Sequence, residues 1–207
     1  MNAIKRVATA ATMLGTLLGT MPLGAAPIET GRQIADVNGA PMVVFTYRPM
    51  GCSDPSLLMV FHGIARNART YRDDARALAD RLCLLVVAPL FDRQAFPGWR
   101  YQRGGIVKGA AVQDGRDFTG RLVLDLADWV RREEGRPIAY SLFGHSAGGQ
   151  FLDHLAAFVP TEARRIVVAN AEATCFRASR SMRPSDWERS IRARRTRRRY
   201  GDIWSSR

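Results

Sequence analysis

Histidine, lysine and cysteine are scarce in this chain of 207 residues. It contains three histidines and three cysteines, and Lys5 and Lys108 are its only lysines. Because nearly every basic residue is arginine, the net charge of +12 fits a GC-rich coding sequence better than a selected nucleic-acid surface. Long apolar runs are also missing beyond residue 25, so we expect no membrane-spanning helix there.

What the chain does have is enough apolar material for a folded core. Hydrophobic residues make up 46% and charged residues 24%, which suits one globular domain and excludes a disordered protein. Residues 177–207 carry 11 arginines against three acidic residues, a net of +8 that leaves +4 for the rest of the chain. We therefore expect a domain over 26–171 and an arginine-rich segment, 172–207, that is disordered or out of frame.

The first 25 residues have the pattern of a secretory signal peptide. Lys5 and Arg6 supply a positive start, residues 7–23 are apolar or small, and the small residues 24–26 offer a cleavage site. Pro22 and several threonines and glycines interrupt the apolar stretch, which argues against a permanent membrane anchor. We expect export to the periplasm or the medium and a mature protein without a membrane span.

Two of the three cysteines precede apolar runs. Cys52 comes before the run 57–62, and Cys83 comes before the run 84–89. If these runs are adjacent parallel strands, both cysteines lie at the same edge of the sheet and a disulfide between them is geometrically reasonable. Two unpaired buried thiols are the alternative, and Cys175 is left over in either case.

Apolar runs alternate with longer amphipathic segments, which is the pattern of βα units in a mainly parallel sheet. Continuous apolar runs indicate strands buried on both faces, whereas the weak alternation of residues 42–47 indicates an edge strand. One loop, 91–115, is long for a compact domain. The predicted strands are Met42–Tyr47, Leu57–His62, Leu84–Pro89, Ile138–Gly144 and Arg165–Asn170, and the predicted helices are Thr70–Leu82, Phe118–Glu134 and Ser146–Phe158.

The long loop is rich in aromatic and basic residues. Phe96, Trp99 and Tyr101 either form one wall of a substrate pocket or simply pack as part of the core. Arg100 and Arg103 either meet an acidic group or remain solvated. The sequence leaves both questions open.

A Gly-x-Ser-x-Gly sequence lies between a predicted strand and a predicted helix. Gly144 and Gly148 have no Cβ to clash there, so Ser146 can hold a strained strand-to-helix turn with its Oγ exposed. The five-residue pattern alone arises by chance in about one chain of this length in fifteen, and an accidental structural turn is the alternative. The flanking strand and helix favour Ser146 as a catalytic nucleophile, with His145 as a support of the turn.

A second candidate element follows the strand that ends at His62. Gly63 and Ile64 can aim backbone N–H groups at a substrate carbonyl, as in an oxyanion hole. The other donor would be the N–H of Ala147, at the positive end of the next helix. For His62 we expect a role in orienting the loop through hydrogen bonds, and Asn67 is a further candidate support.

Four groups of residues extend these motifs: His62-Gly63 with Asn67, Tyr71-Arg72-Asp73, Ala88-Pro89-Leu90-Phe91 with Phe96-Pro97-Gly98, and Gly144-His145-Ser146-Ala147-Gly148-Gly149-Gln150. Together they resemble the α/β-hydrolase superfamily, and within it the secreted esterases related to polyhydroxyalkanoate depolymerases and feruloyl esterases. The resemblance covers about residues 40–171. It implies an α/β fold with an eight-stranded, mostly parallel sheet flanked by helices. In this chain we expect that fold to be truncated after about the sixth strand. It also implies a serine nucleophile, a later acid and histidine, and ester substrates.

The sequence offers no convincing general base for Ser146. None of the three histidines follows the last predicted strand, where the resemblance places the base. His154 lies about 12 Å along the helix axis from Ser146, which is too far for proton transfer. Side chains that are adjacent on a tight turn diverge, which argues against His145. The base and acid are therefore unassigned, impaired activity is expected, and no metal or cofactor is predicted.

The arginine-rich segment allows two interpretations. Codons for residues 172–177, read two nucleotides later, can encode Gly-Tyr-Met-Leu-Pro, which fits a frameshift near Ala171. Alternatively, the chain is a non-catalytic binding protein whose arginines, with Trp187, Tyr200 and Trp204 among them, contact nucleic acid or an anionic surface. Export disfavours nucleic acid as a partner, so a small-molecule or polymeric ester is the expected ligand. The oligomeric state is left open.

Overall fold

A computed structural model describes residues 26–171, and the fold reported below is that of this part of the chain. The predicted signal peptide, the arginine-rich segment and Cys175 lie outside the described residues. The strands are β1 (Gly31–Val37), β2 (Ala40–Tyr47), β3 (Ser56–Phe61), β4 (Leu84–Pro89), β5 (Val107–Lys108), β6 (Ala111–Val112), β7 (Tyr140–His145) and β8 (Arg165–Ala169). The helices are α1 (Ala68–Asp74), α2 (Arg76–Leu82), α3 (Arg121–Glu134) and α4 (Ala147–Phe158).

The main sheet has the strand order β1-β2-β4-β3-β7-β8. Strands β4, β3, β7 and β8 are parallel, whereas β1 and β2 form an antiparallel hairpin at one edge. The register pairs Phe61 with Gly144, so the residues that follow β3 and β7 meet at the carboxyl edge of the sheet. The predicted mainly parallel α/β architecture is confirmed.

Burial explains why the central strands were predictable. In β3, Leu57, Met59 and Phe61 face one core, while Leu58 and Val60 face the other. Helices α3 and α4 contribute to the first core, and helices α1 and α2 contribute to the second. A strand covered on both faces needs apolar residues at every position, which produces the continuous runs of the sequence.

Strand β1 was missed by the sequence analysis. Its only fully covered positions are Ala35 and Val37, and the larger Ile34 is 52% exposed, so no clear alternation appears. The turn into β2 did carry a signal: Asn38 and Gly39 both have positive φ, as a two-residue hairpin turn requires. An Asn-Gly pair was therefore the better guide to this hairpin than hydrophobic alternation.

The predicted helix Thr70–Leu82 is wrong as one element. It divides into α1 and α2 at Ala75, whose backbone N–H bonds to Tyr71 O and Asp73 O. The helix predicted from Phe118 begins at Arg121, because Phe118 and Thr119 lie in the turn before it. In the described part of the chain, no helix is long and apolar enough to cross a membrane.

Cys52 and Cys83 form a disulfide, so of the two alternatives the bonded pair holds. Their Cα atoms are 5.6 Å apart, and Ser56 N donates to Cys83 O at 3.2 Å. The pairing follows from the parallel neighbours β3 and β4, which begin just after the two cysteines. The bridge therefore fastens the amino edge of the sheet, opposite the residues that follow β3 and β7.

Candidate active site

Ser146 occupies the turn between β7 and α4 in a backbone conformation that residues other than glycine rarely adopt. Its φ is 54° and its ψ is −120°, and a non-glycine residue at positive φ costs on the order of 1–3 kcal/mol. Two hydrogen bonds hold the turn: Ser146 N donates to Ala169 O at 2.9 Å, and Gln150 N donates to Ser146 O at 3.0 Å. The neighbouring strand β8 and the first turn of α4 therefore support the strained residue.

The flanking glycines are required for space. A Cβ on Gly144 would lie 2.3 Å from Gly148 O, and a Cβ on Gly148 would lie 2.2 Å from Phe61 O. Real Cβ atoms essentially never approach that closely, so β7, α4 and the end of β3 pack through bare backbone. This close approach lets the residue between them project from the carboxyl edge of the sheet.

The loop after β3 lies directly beside Ser146. A methyl group placed on Gly63 would be 3.7 Å from the Ser146 Cβ. Among the described residues, the N–H groups of Ile64 and Ala147 have no acceptor, and Ala147 opens helix α4 where the helix dipole is positive. Two free donors beside a serine are the arrangement that binds a developing oxyanion.

His62 is fully buried and hydrogen-bonded on both sides of its ring. Its Nδ1 lies 3.0 Å from Gly63 O, and its Nε2 accepts the N–H of Phe91 at 3.1 Å. These contacts fit the neutral tautomer with its proton on Nδ1. Burial disfavours the charged form and lowers the pKa of His62 to about 4. No lone pair is free to take a proton from Ser146, which supports the orienting role that we expected.

The other two histidines also form hydrogen bonds. His145 Nδ1 is 2.9 Å from the hydroxyl of Tyr71. His154 Nδ1 is 2.8 Å from Gln150 O on its own helix, and burial lowers the pKa of His154. The structure thus brings together Ser146, Gly63, Ile64, Ala147 and His145, and the histidine contacts described here join His62, His145 and His154 to groups other than Ser146.

Asn67 has a backbone role. It precedes helix α1, its side chain makes no capping hydrogen bond, and its carbonyl oxygen accepts from Tyr71 N at 3.3 Å. Tyr71 in turn closes over the loop, because its hydroxyl would be 2.9 Å from a Cβ on Gly63. Only glycine fits beneath this tyrosine without displacing it.

Arg66 fastens the loop after β3 to the long loop 91–115. Its Nη1 donates to Phe91 O at 2.7 Å and its Nη2 donates to Phe96 O at 2.9 Å. The guanidinium carbon stands 4.4 Å from the centre of the Tyr101 ring, and the Tyr101 hydroxyl donates to His62 O at 2.7 Å. No local sequence pattern predicts this role of Arg66, because its partners lie about 25 to 30 residues away.

The aromatic residues of the long loop divide into two groups. Phe91 and Tyr101 are almost completely buried and pack against Phe151, so they belong to the core. Phe96 and Trp99 are half-buried and remain candidates for a pocket wall. Of the two alternatives for Tyr101, plain packing therefore holds.

Two cavities lie at the amino edge of the sheet, away from Ser146. One, of about 510 Å³, is lined by residues that include Asp54, Arg136 and Arg164. The other, of about 440 Å³, lies between α3 and the segment after α4 and includes Tyr140 and Thr161. In the described ranges, no group of three or more histidine, cysteine or acidic side chains could hold a metal ion.

Comparison with protein-family models finds no match, and comparison with curated proteins finds none either. Solved structures do match. A poly(3-hydroxybutyrate) depolymerase from Bordetella parapertussis is 33% identical, with a TM-score of 0.61 over 69% of this chain and 53% of its own. A poly(aspartic acid) hydrolase from Sphingomonas sp. KT-1 is 27% identical, with a TM-score of 0.66 over 76% of this chain and 63% of its own.

This chain thus spans less than two thirds of the length of either protein. The resemblance inferred from the sequence is confirmed at the level of the fold and its hydrolase neighbours. The chain has the α/β-hydrolase fold, and its structural neighbours are α/β-hydrolases that include a poly(3-hydroxybutyrate) depolymerase.

Proposed function

We propose that this chain is a serine hydrolase of carboxylic esters, of the esterase or depolymerase type, with Ser146 as its nucleophile. The observation that carries the proposal is the left-handed Ser146, with a φ of 54°, between β7 and α4. Its contact with the loop at Gly63 and the free N–H groups of Ile64 and Ala147 support the same role. The depolymerase neighbour, which acts on a polyester, makes esters the favoured substrate class.

The geometry supports acyl transfer through a tetrahedral intermediate. Ser146 Oγ bonds to the ester carbonyl carbon and loses its proton to solvent, while the carbonyl oxygen becomes an anion bound by Ile64 N–H and Ala147 N–H. The anion collapses and expels the alcohol, which takes a proton from water. Water then hydrolyses the acyl group from Ser146.

We also expect the hydrolytic activity of this chain to be low. Each of the three histidines bonds to a group other than Ser146, so in this proposal hydroxide or water takes the Ser146 proton. Hydrolases that lose their triad typically keep a rate about 10³ to 10⁴ above that of water through binding and the oxyanion donors. Without a base, acylation of Ser146 is slow, and direct attack of water on the bound ester carries most of this residual rate, so Ser146→Ala should change it only slightly.

Covalent labelling tests the nucleophile without needing turnover. We expect a fluorophosphonate to modify the 207-residue chain slowly and once, on the peptide that contains Ser146. The labelling rate should rise about tenfold per pH unit, because hydroxide is the base, whereas a histidine base would give a plateau above its pKa. Intact-mass and peptide-mass spectrometry measure both quantities.

The matched control is Ser56→Ala, which removes an exposed serine at the other edge of the sheet. It should label like the wild type, whereas Ser146→Ala should not label. Equal labelling of wild type and Ser146→Ala would overturn the proposed nucleophile. Labelling with a plateau near neutral pH would show that a base had been missed.

Export and the domain limits belong to the proposal as well. The apolar stretch of residues 7–23 and the Cys52–Cys83 disulfide both fit an oxidising compartment outside the cytoplasm. We expect the mature protein to begin at Ala26 and the domain to extend to Ala171. N-terminal sequencing of protein recovered from the periplasm would check the first point, and an uncut N-terminus would contradict it.

A further inference from the structure

One segment next to the loop that contacts Ser146 carries four basic residues and one acidic residue. Residues 92–108 contain Arg93, Arg100, Arg103 and Lys108, with Asp92 as the only acidic residue. The Asp92 carboxylate already accepts from the backbone N–H groups of the two residues Gln94 and Ala95. Among the described residues, Arg93, Arg100 and Lys108 form no ion pair.

Two hydrogen bonds place this segment along the site. At one end, Arg93 Nη2 donates to Ile64 O at 3.0 Å, on the residue whose N–H is the proposed oxyanion donor. Further along the segment, Gln102 Nε2 donates to Gln150 Oε1 at 3.0 Å, and Gln150 N donates to Ser146 O. The segment therefore contacts both the loop after β3, at Ile64, and helix α4, at Gln150.

Arg93 is the member best placed to contact a ligand. Its side chain is exposed, and its only described hydrogen bond uses one N–H, which leaves four of the five guanidinium donors available. Behind it, the Arg100 guanidinium lies 4.9 Å from the Phe96 ring centre, and Lys108 Nζ lies 5.4 Å from the Trp99 ring centre. These contacts keep positive charge over the two half-buried rings.

Arginines elsewhere in the described residues differ in whether they meet a carboxylate. At the amino edge of the sheet, Arg48 and Arg136 are paired with Glu134 and Asp54. Arg81, at the same edge, is exposed and forms no ion pair among the described residues. The contact of Arg93 with Ile64 O, and not the lack of a carboxylate alone, therefore sets Arg93 apart.

We propose that the site takes esters whose acyl group carries a carboxylate close to the scissile bond, and that Arg93 binds this carboxylate. This inference rests on the proposed function and names its substrate class. A guanidinium can bind a carboxylate through two parallel hydrogen bonds, which fixes orientation as well as charge. The remaining cations of the segment raise the local concentration of an anionic substrate.

Paired boronic acids test the charge preference at equilibrium. Phenylboronic acid and 3-carboxyphenylboronic acid have the same ring and the same boron, which adds to a serine Oγ, and they differ in one carboxylate. We expect the 207-residue chain to bind the carboxylate-bearing compound about tenfold more tightly at low ionic strength. The preference should shrink as salt is added, because the Arg93 side chain is exposed. Titration calorimetry gives both dissociation constants.

Two variants separate the inference from general electrostatics. Arg93→Gln should reduce the preference to about twofold or less, whereas Arg81→Gln should leave it unchanged. Arg81 is an exposed arginine in the last turn of α2, at the opposite edge of the sheet, so the control removes the same charge far from the site.

The outcomes distinguish the two proposals. Equal affinity for both compounds in the wild type, or a preference that persists in Arg93→Gln, would overturn the inference alone. If Ser146→Ala bound both compounds as tightly as the wild type, with no tetrahedral boron signal in either protein, the serine proposal would fail and the inference with it.

Discussion

The two edges of the sheet differ in how their residues are stabilised. At the amino edge, a disulfide joins the segments before β3 and β4, and Arg48 and Arg136 are paired with carboxylates. At the carboxyl edge lie a strained serine, bare glycine backbone, a neutral buried histidine and the exposed Arg93, which forms no ion pair among the described residues. The covalent crosslink lies where no chemistry is proposed, and the backbone strain and the free N–H donors lie where it is.

The largest expected effect on stability comes from removing the disulfide at the amino edge. Replacing Cys52 and Cys83 by serine should lower the free energy of unfolding by about 3–4 kcal/mol, because the bridge closes a loop of 31 residues in the unfolded chain. Urea unfolding measures the change, and fluorophosphonate labelling of Ser146 below the transition should stay as in the wild type.

The control for this change is Ser53→Ala, which alters an exposed residue next to Cys52 and should leave the unfolding free energy unchanged. If the double serine variant lost labelling while still folded, the two edges would not be independent.

The second effect is a pH dependence at the carboxyl edge. Burial lowers the pKa of His62 from its ordinary value of 6.5 to about 4, so the folded state binds fewer protons than the unfolded state between these values. The contribution of His62 is fully present above pH 6.5 and is lost as the pH falls toward 4. Over that window the loss amounts to about 3 kcal/mol.

Urea unfolding of wild type and His62→Gln at a series of pH values would isolate this contribution. The stability difference between the two proteins should narrow as the pH falls, whereas carboxylate titrations affect both alike. A difference that is constant from neutral to acidic pH would mean that His62 is not held neutral.

The smallest effect concerns the contact between the two loops. Arg66→Lys replaces two directed hydrogen bonds, to Phe91 O and Phe96 O, by at most one, and should destabilise the fold by about 1–2 kcal/mol. The same substitution at Arg116, which is highly exposed and paired with Asp114, should have no measurable effect on the unfolding free energy. Equal effects at the two positions would show that Arg66 does not fasten the loops.

Local patterns in the sequence were enough for the central sheet and the serine turn. Strands β3 and β4 are apolar at nearly every position because both faces are covered, and Gly144 and Gly148 signal a close approach of backbones. The contacts that decide the chemistry are long-range. Burial keeps His62 neutral, and the hydrogen bond to its Nε2 comes from Phe91, 29 positions away, so no periodicity encodes these contacts.

The boundary errors have physical causes as well. Strand β1 has one covered face with small residues on it, so its hydrophobic signal is weak. Helices α1 and α2 share one amphipathic pattern, and only the backbone at Ala75 interrupts it. A pattern of side chains reports which face is buried but says little about where the backbone bends.

The hydrogen bond from Ser146 N to Ala169 O makes amide hydrogen exchange at Ser146 a measure of how stable the serine turn is. This amide proton exchanges with solvent only when the turn separates from β8, so its exchange lifetime records how long the strained conformation persists. A ligand that binds beside Ser146 and restrains the turn should lengthen this lifetime, even if it never reacts. The backbone of the serine thereby reports occupancy independently of its hydroxyl.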